Sequence, residues 1–308
     1  MPIPPSDSAP GPLVSVIMNG FNSARYLAEA LESLLAQTYS NWELVFWDNR
    51  SEDNSEDIVR SFADPRIHFH RADKRMPLAE GRNRAVERAG GKWIAFLDCD
   101  DIWLPQKLAM QIERLRLDGG SDVGLVYGRT LSFSARGVEG ETTYRYYGRA
   151  LPEGNIAKAL LLEGNLVPMV SAMVLRKAYA AVGAIPAHLT FAEDYWLFVA
   201  IATTYRTLCV QEVCCRYRVH TGSATHRNKL ASHVESLEVL LRWRACLEPR
   251  ELKRRVAVYH TLIGIEELRA GRCEGLANIV LRGSFPFLLR GTISTAVRRF
   301  VRRQRPYA

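Results

Sequence analysis

The chain has 308 residues, 47% of them apolar, enough for one large core or for a core with a smaller appendage. Its formal net charge of +8 is unevenly placed, because the stretch from Arg290 onward holds six arginines and no carboxylate and leaves the preceding chain at about +2. An excess confined to a tail argues against a general nucleic-acid binder, whose cations would cover the folded surface among base-stacking aromatics, and no run reaches the roughly 18 apolar residues of a bilayer span.

Residues 1–12 are Pro-rich, without the basic end and apolar run of a signal peptide. The apolar run VSVIM at 14–18, followed by the turn-forming Asn19-Gly20-Phe21-Asn22, predicts a buried strand. Over residues 24–37, Leu27, Ala30, Leu31, Leu34 and Leu35 recur at three and four, the stripe of a helix laid on a sheet. The alternation continues with strands at 42–47, 67–70 and 93–97 and helices at 53–62, 78–89 and 105–117. Strands joined by helical crossovers imply a doubly wound, mostly parallel sheet flanked by helices. Beyond a strand at 123–127, the Tyr- and Gly-rich residues 132–154 read as extended or mobile. Residues 157–218 mix both patterns, and the chain from about 232 is mainly helical.

Six cysteines (Cys99, Cys209, Cys214, Cys215, Cys246 and Cys273) show neither CxxC spacing nor the density of a disulfide scaffold, and the histidines do not fall at ligand spacing beside them. Buried free thiols in a reducing cytoplasm fit this pattern.

In an open parallel sheet, ligands bind beyond the carboxyl ends of the strands. Three polar clusters fall there: Asn19 to Asn22 after the first strand, Asp48-Asn49 after the second, and Asp98-Cys99-Asp100-Asp101 after the fourth. Neither GxGxxG nor GxxxxGK[ST] follows the first strand, so the dinucleotide and P-loop readings lack their phosphate-binding glycines. Three carboxylates so close repel one another unless a cation, solvent or protonation relieves them, and a divalent ion with hard oxygen ligands, Mg²⁺ or Mn²⁺, is the economical answer. Such an ion keeps positions open for a diphosphate. The alternative is that an aspartate caps the following helix.

The blocks VSVIMNGFN at 14–22, WELVFWDNRSED at 42–53 and KWIAFLDCDD at 92–101, with their spacing, resemble family 2 glycosyltransferases, and among these the bacterial surface-polysaccharide enzymes. The likeness is specific over about residues 13–110 and looser to about 225. It implies a GT-A fold in which 13–110 is the nucleotide-sugar-binding half and 111–225 the acceptor half; it does not extend through 226–308, which periodicity alone reads as a helical C-terminal region. It implies a DxD motif of Asp98 and Asp100, with Asp100 the metal ligand and Asp101 beside it, and Asp48 facing the nucleobase. Gly81-Arg82-Asn83 is similar to the family's ARN element and makes Arg82 a donor-binding candidate beside Asn19, Phe21, Asn22 and Asp98. Two departures are a small residue and proline replaced by Asn19-Gly20, and tyrosine replaced by Phe21.

Further on, Phe191-Ala-Glu-Asp-Tyr-Trp196 is similar to the family's ED element, which implies Asp194 as general base with Glu193 adjacent. Read from the residues alone, the acidic pair equally suits the start of an apolar helix. Tyr217-Arg218-Val219-His220 resembles the family's YRxH segment, which implies His220 on the metal or a phosphate and Arg218 near the diphosphate. The implied enzyme is inverting: it moves a sugar from a nucleotide-sugar donor, UDP favoured, to a hydroxyl on a glycan or lipid-linked acceptor. The competing readings are a metal-dependent nucleotidyltransferase and a non-catalytic nucleotide-sugar-binding protein.

Along residues 293–303, Ile293, Ala296, Val297, Phe300 and Val301 share one helical face, with Arg298, Arg299, Arg302 and Arg303 around the rest. This basic amphipathic pattern over residues 290–308 predicts peripheral binding to an anionic, cytoplasmic leaflet. An ordinary docked C-terminal helix is the alternative.

Overall fold

The computed structural model describes residues 11–142, 148–220, 228–272 and 274–279. The expectations for the tail at 290–308 and for Cys273 lie outside the described residues. The chain divides into two compact units, Met1–Ser223 and Ala224–Ala308.

In the first unit, β1 (Val14–Gly20), β2 (Trp42–Asp48), β3 (Ile67–Arg71) and β4 (Trp93–Phe96) form a parallel half-sheet in the order β3-β2-β1-β4. β1 and β4 are apolar and almost wholly buried, as expected of parallel strands covered on both faces. The helices α1 (Ala24–Leu35), α2 (Ser55–Ser61) and α3 (Leu78–Glu87) make the crossovers, and Leu27, Leu31 and Leu34 of α1 are fully buried. Truncating any one of these leucines to alanine removes about 2–5 kcal/mol.

The chain runs outward from β1 through β3 and then returns to the other side of β1 as β4. That reversal opens a crevice between the carboxyl ends of β1 and β4, the switch point at which ligands of open α/β sheets bind. β4 ends beside Ile17, with Leu97 N–H donating to Ile17 O at 3.1 Å, so residues 98–101 leave the sheet alongside Asn19.

Beyond β4 the sheet becomes mixed. β8 (Met173–Leu175) runs antiparallel to β4, β6 (Val123–Ser134) antiparallel to β8, and β9 (Arg206–Arg218) parallel to β6, with β5 (Ile102–Trp103) antiparallel to β9. Part of the stretch expected to be extended or mobile is ordered strand, since β6 continues to Ser134 and pairs with β7 (Gly137–Glu141) as a hairpin. The helices α4 (Lys107–Asp118), α5 (Ala157–Glu163), α6 (Arg176–Val182) and α7 (Glu193–Ala202) complete this unit.

The second unit contains α8 (Lys229–Arg242), α9 (Pro249–Arg269) and the short α10 (Glu274–Ala277). A reciprocal capping box of Glu248 and Glu251, with Pro249 behind it, starts α9. Gly264 lets α10 approach: a Cβ there would lie 2.5 Å from the Gly275 carbonyl. Among the described residues no helix is long and apolar enough to cross a membrane.

Candidate active site

The loop 98–101 divides its carboxylates between two clusters. In the first, Arg82 of α3 is 4% exposed and reaches two acids at once: Nη1 donates to Glu193 Oε1 at 2.5 Å, and Nη2 to Asp98 Oδ1 at 3.1 Å. The guanidinium therefore bridges the loop after β4 to the first turn of α7. These bonds hold the cation that the resemblance makes a donor-binding candidate beside the acidic loop. Glu193 is 7% exposed, so the pair is a desolvated, charge-assisted one.

Asp194 follows directly. Its Oδ2 accepts from Asn165 Nδ2 at 2.9 Å and its Oδ1 from the Tyr195 amide at 2.6 Å. Burial, reinforced by the neighbouring Glu193 charge and opposed by Arg82, pushes its carboxyl up to about 7. Both acids stand in the first turn of α7, where the helix-start alternative puts them and where the helix dipole favours them, although no side chain caps that helix: its N-cap is Ala192 and makes no side-chain cap bond. Nor does an aspartate of 98–101 cap α4, whose N-cap is Gln106.

In the second cluster, Asp100 Oδ2 lies 2.9 Å from His220 Nε2. The His220 ring sits 5.2 Å from that of Tyr26. Arg218 braces the arrangement. Its Nε donates to the Asp100 carbonyl at 2.7 Å, its amide to Asp101 Oδ1 at 2.8 Å, and its Nη2 to Glu29 Oε2 at 2.7 Å. Its guanidinium lies 4.3 Å and 4.5 Å from the ring centroids of Tyr26 and Phe133. Arg218 thus ties the acidic loop to β9 and α1.

Among the described residues no three His, Cys, Asp or Glu side chains converge as a metal cage. The Asp100–His220 pair does bring a hard oxygen and an imidazole nitrogen, both ligand types of divalent cations, to 2.9 Å from each other. Beside it, Asp101 is 1% exposed and its Oδ2 has no hydrogen-bond partner, leaving an unsatisfied acceptor in the same loop.

The third group lies at the ends of β1, β2 and β3. Phe21, four cations (Arg50, Arg71, Lys74 and Arg75) and two acids (Glu52 and Asp73) line a cleft of about 360 Å³, with the Arg75 guanidinium 3.8 Å from the Phe21 ring centroid. Asn22 takes a left-handed φ of 50°, which asparagine tolerates, and ties two loops together: its amide donates to Ser51 Oγ and its Oδ1 accepts from the Glu52 amide. Gly20 is required by space, since a Cβ would fall 2.7 Å from the Phe46 ring. Asn19 reaches α3, its Nδ2 lying 3.2 Å from where a Cβ on Gly81 would stand. Asp48 is fully buried beneath the cleft, accepting from the Ser51 amide, with Arg71 Nε at 3.6 Å.

Residues that the sequence reading did not single out are Asn165 on Asp194, Tyr26 on Arg218 and His220, and Arg71 and Arg75 at the cleft. None falls in a spaced motif. The only signals were composition: a polar residue after Gly164, and the basic run 71–75 after β3.

The parallel half-sheet, its antiparallel extension and the acidic crevice at the switch point are those of a GT-A-type glycosyltransferase. The chain belongs to glycosyl transferase family 2, whose model matches residues 15–182, and is a hexosyl-type transferase. It is 40% identical over 217 residues to the UDP-Glc:alpha-D-GlcNAc-diphosphoundecaprenol beta-1,3-glucosyltransferase WfgD of Escherichia coli, covering 68% of this chain and 79% of that protein. With WfaP, an enzyme of the same description from Escherichia coli, it shares 30% over 230 residues, 74% of this chain and 85% of the other. Among solved structures it is similar to S. aureus TarS 1-349 in complex with UDP-GlcNAc, with a TM-score of 0.63, 14% identity, and coverage of 96% and 93%. The mannosyltransferase PcManGT from Pyrobaculum calidifontis, in complex with GDP-Man and Mn2+, gives 0.62 at 20% identity, covering 97% and 86%. At these identities the structures speak to fold alone.

Proposed function

We propose that this protein transfers a hexose from a UDP-sugar to a hydroxyl of a lipid-diphosphate-linked saccharide in surface-polysaccharide synthesis, inverting the anomeric centre, with Asp194 as general base. The observation that carries the reading is the arrangement around Asp194: a part-buried carboxyl pushed up to about 7, beside a Glu193–Arg82–Asp98 bridge that links it to the acidic loop. The two Escherichia coli relatives are described as using UDP-glucose on a GlcNAc-diphosphoundecaprenol and forming a beta-1,3 bond. UDP-glucose holds its sugar in the α configuration, so a β product means inversion by direct displacement.

Asp194 takes the proton of the attacking hydroxyl as that oxygen closes on the anomeric carbon. Asn165 holds one oxygen of Asp194 and the Tyr195 amide the other, so the base is oriented before the acceptor arrives. Asp100 and His220 would hold a divalent cation, Mn²⁺ or Mg²⁺, which when bound would neutralise charge on the diphosphate leaving group. Arg218 keeps Asp100 and Asp101 in place through its side chain and amide. The basic cleft around Phe21, Arg71 and Arg75 receives the nucleotide end of the donor, above the buried Asp48. The tail at 290–308 brings the enzyme to an anionic leaflet, where a lipid-linked acceptor resides.

The test is transfer of radiolabelled glucose from UDP-glucose to a synthetic GlcNAc-diphospholipid with MnCl₂, the linkage read by NMR. A β-linked disaccharide lipid supports the proposal. An α-linked product, or no transfer from any UDP-hexose, refutes it.

A further inference from the structure

Asn83, next to Arg82 on α3, is not accounted for by the chemistry above, yet its side-chain amide makes three hydrogen bonds over a long sequence separation. Its Nδ2 donates to Ile185 O at 2.9 Å, and its Oδ1 accepts from the Ile185 amide at 3.0 Å and from the Tyr179 hydroxyl at 2.7 Å. The first two bonds copy the paired bonds of a β-bridge, made by one side chain to one backbone residue. Ile185 itself is 1% exposed.

Ile185 opens the irregular link that ends at α7, and residues 183–192 contain neither helix nor strand. Such a link has no ladder to set its path. It is held at both ends from consecutive residues of α3: at Ile185 by Asn83 and at Glu193 by Arg82. Gly81 completes the set, because a Cβ there would lie 3.2 Å from Asn19 Nδ2 and 3.3 Å from Trp47, so α3 sits tight against β1 and β2. The parallel half-sheet thereby fixes the segment that delivers Asp194.

We propose that Asn83 is a positioning residue that, together with Arg82, clamps residues 185–193 so that Asp194 is delivered to the acceptor hydroxyl; the inference rests on Asp194 being the base. Asn83 touches neither donor nor acceptor in this role. Losing it changes the rate per bound donor and leaves donor affinity alone.

Asn83→Ala and the milder Tyr179→Phe test this, with Asp194→Asn as the control. Calorimetric titration with UDP-glucose and MnCl₂ gives the fraction of folded, binding-competent enzyme and the donor Kd, so that kcat is expressed per competent molecule. We expect Asn83→Ala to keep Kd within about twofold while kcat falls about tenfold, and Tyr179→Phe to show the same split more weakly. Amide exchange, which needs no activity, should quicken over residues 185–195 in Asn83→Ala and stay unchanged in β1, β2 and β4. Unchanged exchange in that segment overturns the clamp, as does an unchanged kcat or a Kd that worsens as much as kcat. If Asp194→Asn keeps full kcat while exchange quickens as expected in Asn83→Ala, the clamp stands and the assignment of the base falls.

Discussion

Arg82 and Glu193 lie 111 positions apart in the chain, and their side chains meet at 2.5 Å in a nearly solvent-free contact. The pair joins the two halves of the candidate site, since Arg82 also holds Asp98. Its energetic sign depends on which partner is removed. Stranding one buried charge is costly, whereas removing both together is far less so.

Arg82→Met should therefore lose about 3–5 kcal/mol of folding stability, and Arg82→Met/Glu193→Leu should recover most of it. Urea denaturation of the two single variants and the double variant gives the coupling. Additive losses would mean that the contact contributes nothing as a pair.

Asp194→Asn keeps the shape of the side chain and removes its basicity. Turnover should fall on the order of 10²- to 10⁴-fold with donor Kd within about twofold. A loss of donor affinity equal to the loss of rate would place Asp194 in the donor site.

The Asp194 carboxyl, raised to about 7, gives a pH dependence with a definite sign. The base acts when ionised, so kcat/KM should rise with pH and level off above about 7, and Asp194→Asn should abolish that limb. Stability runs the other way. A carboxyl that holds its proton more tightly folded than unfolded contributes least once ionised, so its share of stability is lost between roughly pH 4, the unfolded carboxylate value, and pH 7. Glu193, Arg82 and Asp98 face the same group, and a Glu193→Gln variant should lower the midpoint by removing a like charge.

Asp100→Ala and His220→Ala should each weaken Mn²⁺-dependent UDP-glucose binding by at least about tenfold, the lower end of the loss seen for groups that only support a metal ligand. Titration with MnCl₂ and with EDTA separates this from a general loss of donor binding. Equal donor affinity with and without metal in wild-type protein would remove the cation from the proposal.

The full chain should float with liposomes containing anionic lipid, and the chain ending at residue 289 should not. Each arginine near such a surface adds about 1 kcal/mol. Flotation that survives truncation would assign membrane binding elsewhere.

Local sequence patterns were enough for the parallel half-sheet. Apolar runs such as VSVIM and the three-four stripe of Leu27, Leu31 and Leu34 are properties of neighbouring residues, and burial on a sheet demands them wherever they occur. The polar ends of β1, β2 and β4 were legible for the same reason, since a strand that stops at Phe96 must deliver residues 98–101 to the carboxyl edge. The antiparallel half was harder to read. β8 has three residues, and β9 carries Gln211 and Glu212 in its middle, so neither shows a clean period of two.

The sequence by itself determined which residues are candidates for the chemistry: the acids of 98–101, the Glu193-Asp194 pair, and His220. Only the tertiary structure decided what each one faces. It made Arg82 the bridge between Asp98 and Glu193, set Arg218 between Tyr26 and Phe133, buried Asp48, and gave Asp194 its partner Asn165. The physical reason is range. Periodicity and turn chemistry act between residues a few positions apart, whereas an ion pair depends on distance through space, which here is set by the reversal of strand order between β1 and β4 and by the path of the chain back to α7.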